Sequence, residues 1–198
     1  GVVPASLASN IISGQTALAE TPASTDEFLV SDAGTIKRID FSHIQGVYES
    51  KLLHVRDEKS ANTAGGSSSS TTNNERVLNT VVTNEITGAS LSSDTITLPS
   101  GTYFISASSP TNRGGTNRAH LYNTADSSIA VLGTSENTQT SDTTPTRSFI
   151  TGRFTIAAQK TFKIRHYTTS AKSDNGLGIQ ANDGNVEVYT DVQIWKVA

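Results

Sequence analysis

Six polar residues carry the chemistry this sequence offers at its surface. Arg113 and Asn117 flank a pair of glycines, Asp174 and Asn175 stand in Ser173-Asp174-Asn175-Gly176, and Asn182 and Asp183 stand in Asn182-Asp183-Gly184-Asn185. Amide and carboxylate groups match the hydroxyls of a sugar, and Arg113 with Lys172 adds donors for anionic glycan groups. Asn-Gly and Asp-Gly are also turn formers, so solvated turns account for the same residues equally well. These stretches hold no Tyr or Trp to stack on a sugar ring. A weak calcium site at the same place would lack any EF-hand-like spacing.

Other chemistries find less support. His43, His54, His120 and His166 each sit among ordinary strand residues, with no HExxH spacing and no close pair, so buried or interfacial histidines are expected and no metal centre. No GxSxG nucleophile elbow occurs. The acidic residues fall in turns (Asp126, Asp142, Asp174, Asp183) or on strand exteriors (Glu187, Asp191), not as a carboxylate pair facing a sugar-sized cleft. The absence of cysteine removes disulfides and thiolate chemistry. No enzyme and no cofactor are expected.

Composition points to sheets. Ser and Thr make up roughly a quarter of the 198 residues and charged residues only 17%, which suits strands and turns better than helices. Net charge is −5 over residues 1–100 and +2 over residues 101–198, far short of a nucleic-acid footprint. No run approaches a membrane span and no signal-peptide pattern is present. With no methionine, the chain is expected to be a piece of a longer protein.

The elements that must position these residues follow from periodicity. Pro4–Ser13 carries Val3, Leu7 and Ile11 at helical spacing and ends near Gly14, predicting a short helix that needs a partner. Glu27–Phe41 predicts a hairpin turning at Asp32-Ala33-Gly34-Thr35. Eight strands follow, over about 51–57, 76–82, 95–109, 118–124, 128–136, 147–157, 160–169 and 185–197. Three segments result: 1–25 with helix and connector, 26–48 with the hairpin, and 49–198 as an all-β sandwich head. By parity, the polar connections 58–75, 110–117, 137–146 and 170–184 gather at one end, away from Lys51 and Val197. Loops on a rigid scaffold are where binding resides.

The last strand, Asn185–Val197, alternates Val186, Val188, Val192 and Ile194 on one face with Tyr189, Trp195 and Val197 on the other. Aromatics on the second face call for cover from another copy of the chain. The expected core is Leu98, Tyr103, Ile105, Leu121, Ile150, Phe154, Ile164, Val188, Val192 and Ile194.

The runs Arg76–Val82 (RVLNTVV), Ile96–Ser108 (ITLPSGTYFISAS), Arg147–Ile156 (RSFITGRFTI) and the ending VEVYTDVQIWKV resemble the C-terminal heads of bacteriophage tail fibres, in particular those of marine and cyanobacterial phages. Phe28–Ile44 is similar to a module that often precedes such heads. The resemblance spans most of residues 26–198. It departs where SSSSTTNNER replaces the aromatic-bearing stretch that often precedes the Leu-Asn-Thr motif.

The resemblance implies a ten-stranded jelly roll of the complement-globular-head and tumour-necrosis-factor type, preceded by the short helix and a hairpin stalk. It also implies a homotrimer in the virion, held through its N-terminus by other tail proteins. Tyr189 and Trp195, or their neighbours, are then expected at the trimer contact. Arg113, Asn117, Asp174, Asn175, Asn182 and Asp183 are expected to meet a host surface glycan or protein receptor. No nucleic acid and no membrane insertion are expected. The alternatives are a purely structural fibre or decoration component and a glycan depolymerase.

Overall fold

The computed structural model describes residue 16, residues 18–45 and residues 51–197. The helix expected over Pro4–Ser13 lies outside the described residues. The chain divides into two units, residues 1–49 and 50–198.

In the first unit, β1 (Glu27–Asp32) pairs antiparallel with β2 (Thr35–Asp40), and α1 (Phe41–Gln45) follows. The turn is two residues long. Ala33 and Gly34 sit at φ 49° and 83°, the paired positive values whose twist suits a tight hairpin. Phe28 packs on Phe41 at 5.8 Å between ring centroids. Leu29 and Ile36 stay 66% and 61% exposed, so the ribbon buries little apolar surface of its own, a marginal state for two strands.

The second unit contains β3 (Lys51–Lys59), β4 (Thr72–Glu75), β5 (Thr80–Asn84), β6 (Ser90–Ser92), β7 (Thr95–Leu98) and β8 (Gly101–Thr111). It continues with β9 (Thr116–Asn123), β10 (Ser128–Asn137), β11 (Thr146–Ile156), β12 (Lys160–Thr168) and β13 (Glu187–Lys196). Sheet one runs β5-β3-β13-β8-β11. Sheet two runs β10-β9-β12-β7-β6, with β4 also on β12. A bridge at Gly133–Ile150 joins β10 to β11 and nearly closes the path. The chain crosses between sheets from β8 to β9, from β10 to β11, from β11 to β12 and from β12 to β13. That crossing pattern makes the unit an all-β jelly-roll sandwich.

The core sits between the sheets. Leu53, Val55, Ile105, Ile150, Val192 and Ile194 from sheet one meet Ile96, Leu98, Leu121, Phe162 and Ile164 from sheet two, all fully buried. Phe154 bridges them, 5.5 Å from Tyr103 and 5.4 Å from Phe162 between centroids. Every expected core residue is buried except Val188, which is only partly covered.

Four expectations need correction. The run 95–109 is two strands, because Pro99 offers no ladder donor; β7 pairs with β12 and β8 with β13, so the run changes sheets. The strand expected over 76–82 begins only at Thr80, since Arg76 and Leu78 turn inward at 1% and 2% exposure. Polar β4 and β6 add to the expected count, making eleven strands among the described residues of this unit.

The fourth correction concerns the last strand. Between Val188–Glu58 and Asp191–Arg56 the register slips by one residue, a β-bulge in β13. Consecutive Tyr189 and Thr190 are both buried, at 3% and 0%. Alternation therefore changes phase there: Val192 and Ile194 face the core as expected, whereas Val186 is 62% exposed.

Candidate functional site

Four connections are joined by hydrogen bonds at one end of the head. The 58–75 segment meets 170–184 through Gly65 N–H to Gly178 O (2.9 Å), Gly66 N–H to Asp174 O (2.8 Å) and Leu177 N–H to Gly66 O (2.9 Å). The 110–117 segment meets 170–184 through Asn112 N–H to Gly176 O (3.0 Å), and Thr138 N–H reaches Gly115 O (3.0 Å). At the far end, Lys51 pairs with Lys196 and Val197 N–H donates to Thr102 O. The chain thus enters and leaves opposite its polar connections, as parity required.

Arg76 organises this tip from inside. Its Nε donates to Thr190 Oγ1 (2.8 Å), Nη1 to Pro110 O (3.2 Å) and Nη2 to Leu177 O (2.7 Å). Burial lowers its pKa to about 10, with Asp57 pulling the other way, so the guanidinium stays charged at neutral pH. One buried cation therefore ties β13, the end of β8 and the 170–184 segment together. Nothing in the run RVLNTVV marks Arg76 as buried.

The six expected receptor residues divide. Asp174, Asn182 and Asp183 are exposed, and Arg113 is half-buried. Asn175 is also half-buried and accepts from Asn112 Nδ2 (3.1 Å), which joins its turn to the segment holding Arg113. Asn117 is 1% exposed: its Oδ1 lies 2.9 Å from His166 Nε2 and its Nδ2 donates to Gly115 O. It holds a loop from within rather than facing outward. Asp183 accepts from Asn185 N–H and Nδ2, which lowers its pKa. The strap before it hangs on buried Glu187, whose carboxylate accepts from Ala181 N–H and Asn182 N–H. Asp183, Val186, Arg147 and Tyr189 line a cleft of about 500 Å3.

Tyr189 and Trp195 have different surroundings. Tyr189 is buried within its own chain. Its OH donates to Thr63 O (2.6 Å), and its ring lies so close to Gly178 that a Cβ there would come within 2.0 Å. Burial first, then Glu187 and Asp57, push its pKa up to about 12. Trp195 stands on the outer face of sheet one, 6.2 Å from Phe104 between centroids. Register sets Leu52, Trp195, Phe104 and Arg153 in one row across β3, β13, β8 and β11. A second row holds Arg56, Asp191, Ser108 and Phe149, with Phe149 53% exposed. Asp191 there accepts from Arg56 Nε (2.7 Å) and lies 3.1 Å from His54 Nε2.

The histidines of sheet two are held apart from water. His166 is fully buried, its Nδ1 without a hydrogen-bond partner among the described residues. Burial, with Arg76 and His120 adding, lowers its pKa to about 3. Burial, with Arg165 and Arg118 adding, lowers that of His120 to about 4. Among the described residues, no three His, Asp or Glu side chains are grouped to hold a metal ion.

The class that the fold defines is an all-β jelly-roll sandwich, with its first and last strands paired at one end and its polar connections joined at the other. No protein-family model matches the chain, and no curated protein matches it. Among solved structures it is similar to murine APRIL, at 10% identity and a TM-score of 0.48 over 75% of this chain and 99% of that one. It is also similar to the globular domain of zebrafish complement 1qA, at 11% identity and 0.48 over 76% and 98%. Eiger TNF from S. frugiperda is similar at 10% and 0.48 over 76% and 94%.

Proposed function

We propose that the chain is a homotrimeric tail-fibre protein of a bacterial virus, carried in the virion, whose head attaches to a host surface glycan or protein. The observation that carries this reading is the polarity of the head. Lys51 and Lys196 lie paired at one end, while four polar connections are joined at the other. A tethered base and an ordered tip are what a terminal adhesin needs, and the residue runs that resemble phage fibre heads supply the viral setting.

The outer face of sheet one supports assembly. Trp195 and Phe104 form an apolar pair on this face, with Phe149 beyond the polar row of His54, Gln193, Ser106 and Thr151, and such a face is suited to meeting a different surface of the next copy around a three-fold axis. Trp195 is the anchor in this reading. Tyr189 acts from behind, fixing the 170–184 segment. At the tip, Arg113, Asp174, Asn182 and Asp183 make the contacts, and Asn117 and Asn175 hold their loops. Three tips side by side multiply a weak affinity for a repeating glycan.

The test uses the purified head with host cells. It should label them and block adsorption, and a combined substitution of Arg113, Asp174, Asn182 and Asp183 to Ala should remove both effects at unchanged melting temperature. A head that neither labels nor blocks would instead be a structural component.

A further inference from the structure

The outer face of sheet two holds a groove of about 340 Å3, away from the tip and from the apolar rows of sheet one. Strand register builds it. Ser135, Arg118, Tyr167 and Asn73 form one row across β10, β9, β12 and β4; Leu132, His120, Arg165 and Glu75 form the next. His120 lies on the floor at 4% exposure, while Leu132 and Ile129 stand at the lip, 54% and 49% exposed.

One cation, Arg118, lines the groove, and its charge is not spent. Glu75 is held twice over, by Lys163 Nζ (2.6 Å) and Arg165 Nη2 (3.0 Å). Arg118 has no carboxylate partner among the described residues; its Nε and Nη2 donate only to the neutral hydroxyl of Ser135. The two tyrosines differ as well. Arg165 lies 3.7 Å from the centre of the Tyr122 ring and occupies that face. Among the described residues no cation covers Tyr167, so its ring is open to the groove. The floor is a neutral imidazole, able to donate from one nitrogen and accept at the other.

These surfaces select a ligand with three properties: an apolar face, a rim of hydroxyls, and an anionic group. A saccharide ring with a carboxylate or sulfate has all three, and the volume suits one or two such rings by the usual size of ligand sites, about 300 Å3 and upward. We propose that this flank groove binds an acidic saccharide, its C–H face on Tyr167 and Leu132, its anionic group on Arg118, and its hydroxyls on Ser135, Asn73 and His120. A nucleic-acid strand fits less well, because the basic residues form a cluster rather than a track and the chain as a whole is negative, at −3. Binding here requires neither the viral setting nor the tip contacts.

The test is an array of oligosaccharides, with uronate, sulfated and neutral trisaccharides beside single-stranded DNA, probed with the labelled full chain at low salt. Acidic spots should bind and neutral spots should not, and the brighter of the uronate and sulfate spots identifies the anion. Arg118→Glu and Tyr167→Ala should each lower the signal by about tenfold or more. Arg118→Gln, which keeps a donor for Ser135, should fall in the same direction, whereas Lys37→Glu, the same charge change in the hairpin, should leave the signal intact. Acidic spots no brighter than neutral ones would overturn the proposal. So would equal binding to DNA, or full binding by Arg118→Glu and Arg118→Gln.

Discussion

The two sheets share one core, yet their outer faces are built from different materials. Sheet one shows Trp195 against Phe104, an exposed Phe149 and a local ion pair between Arg56 and Asp191. Sheet two shows Arg118, Arg165, Lys163, Tyr122 and Tyr167, with Glu75 the only carboxylate in those rows. An aromatic pair at the centre of a sheet face suits burial against another chain. A cationic face with a free guanidinium suits solvent and an anionic ligand. In the proposed reading the same alternation of strand residues yields an assembly surface on one side and a binding surface on the other.

The largest expected effect separates the sheets by acid. His166 and His120, both in sheet two, are held at pKa values of about 3 and 4, below the unfolded value of about 6.5. The unfolded chain therefore takes up protons first. Stability is full above about pH 6.5 and falls by several kcal/mol as pH drops toward about 4. Urea melts at stepped pH should show this fall, and His166→Asn with His120→Asn should flatten it. An unchanged slope would place the acid response elsewhere.

Core truncation should be blind to the difference between the faces. Ile194→Ala in sheet one and Ile164→Ala in sheet two, both fully buried, should each cost about 2–5 kcal/mol. Val188→Ala, on the partly covered side of the bulge, should cost about 1 kcal/mol or less. A large loss at Val188 would mean the last strand keeps one phase throughout.

Smallest is Glu75→Gln. Hydrogen bonding from Lys163 leads the lowering of the Glu75 pKa, so its contribution is present above the unfolded carboxyl pKa and is lost as pH falls through the folded one. The carboxylate is 45% exposed, so the loss should stay below about 1 kcal/mol. The substitution also frees Arg165 and Lys163, so acidic saccharide binding on the flank should strengthen. Weaker binding would argue against an anionic ligand.

Much of this was legible in the sequence, and the failures have physical causes. The hairpin turn, the strands from Arg147 to Thr168 and the gathering of polar connections follow from turn residues and period-two alternation. The bulge at Tyr189-Thr190 was not legible, because an extra residue changes phase without any unusual residue type. Asn117 read as a surface amide because its partner His166 lies far along the chain, and Arg76 read as a strand end for the same reason. The flank groove does carry a signal in the sequence. Arg118-Ala-His-Leu-Tyr122 and Lys163-Ile-Arg-His-Tyr167 both place basic and aromatic residues at alternate positions, which sets them on one face once β9 and β12 pair.

In the proposed trimer the outer face of sheet one is closed by other copies of the chain. Light scattering of the full chain at micromolar concentration tests it most directly. The expected result is three times the chain mass, falling to one chain mass in Phe104→Ser with Trp195→Ser and unchanged in Arg118→Glu. A stable monomer of the unmodified chain, or a trimer that survives the loss of Phe104 and Trp195, would contradict it.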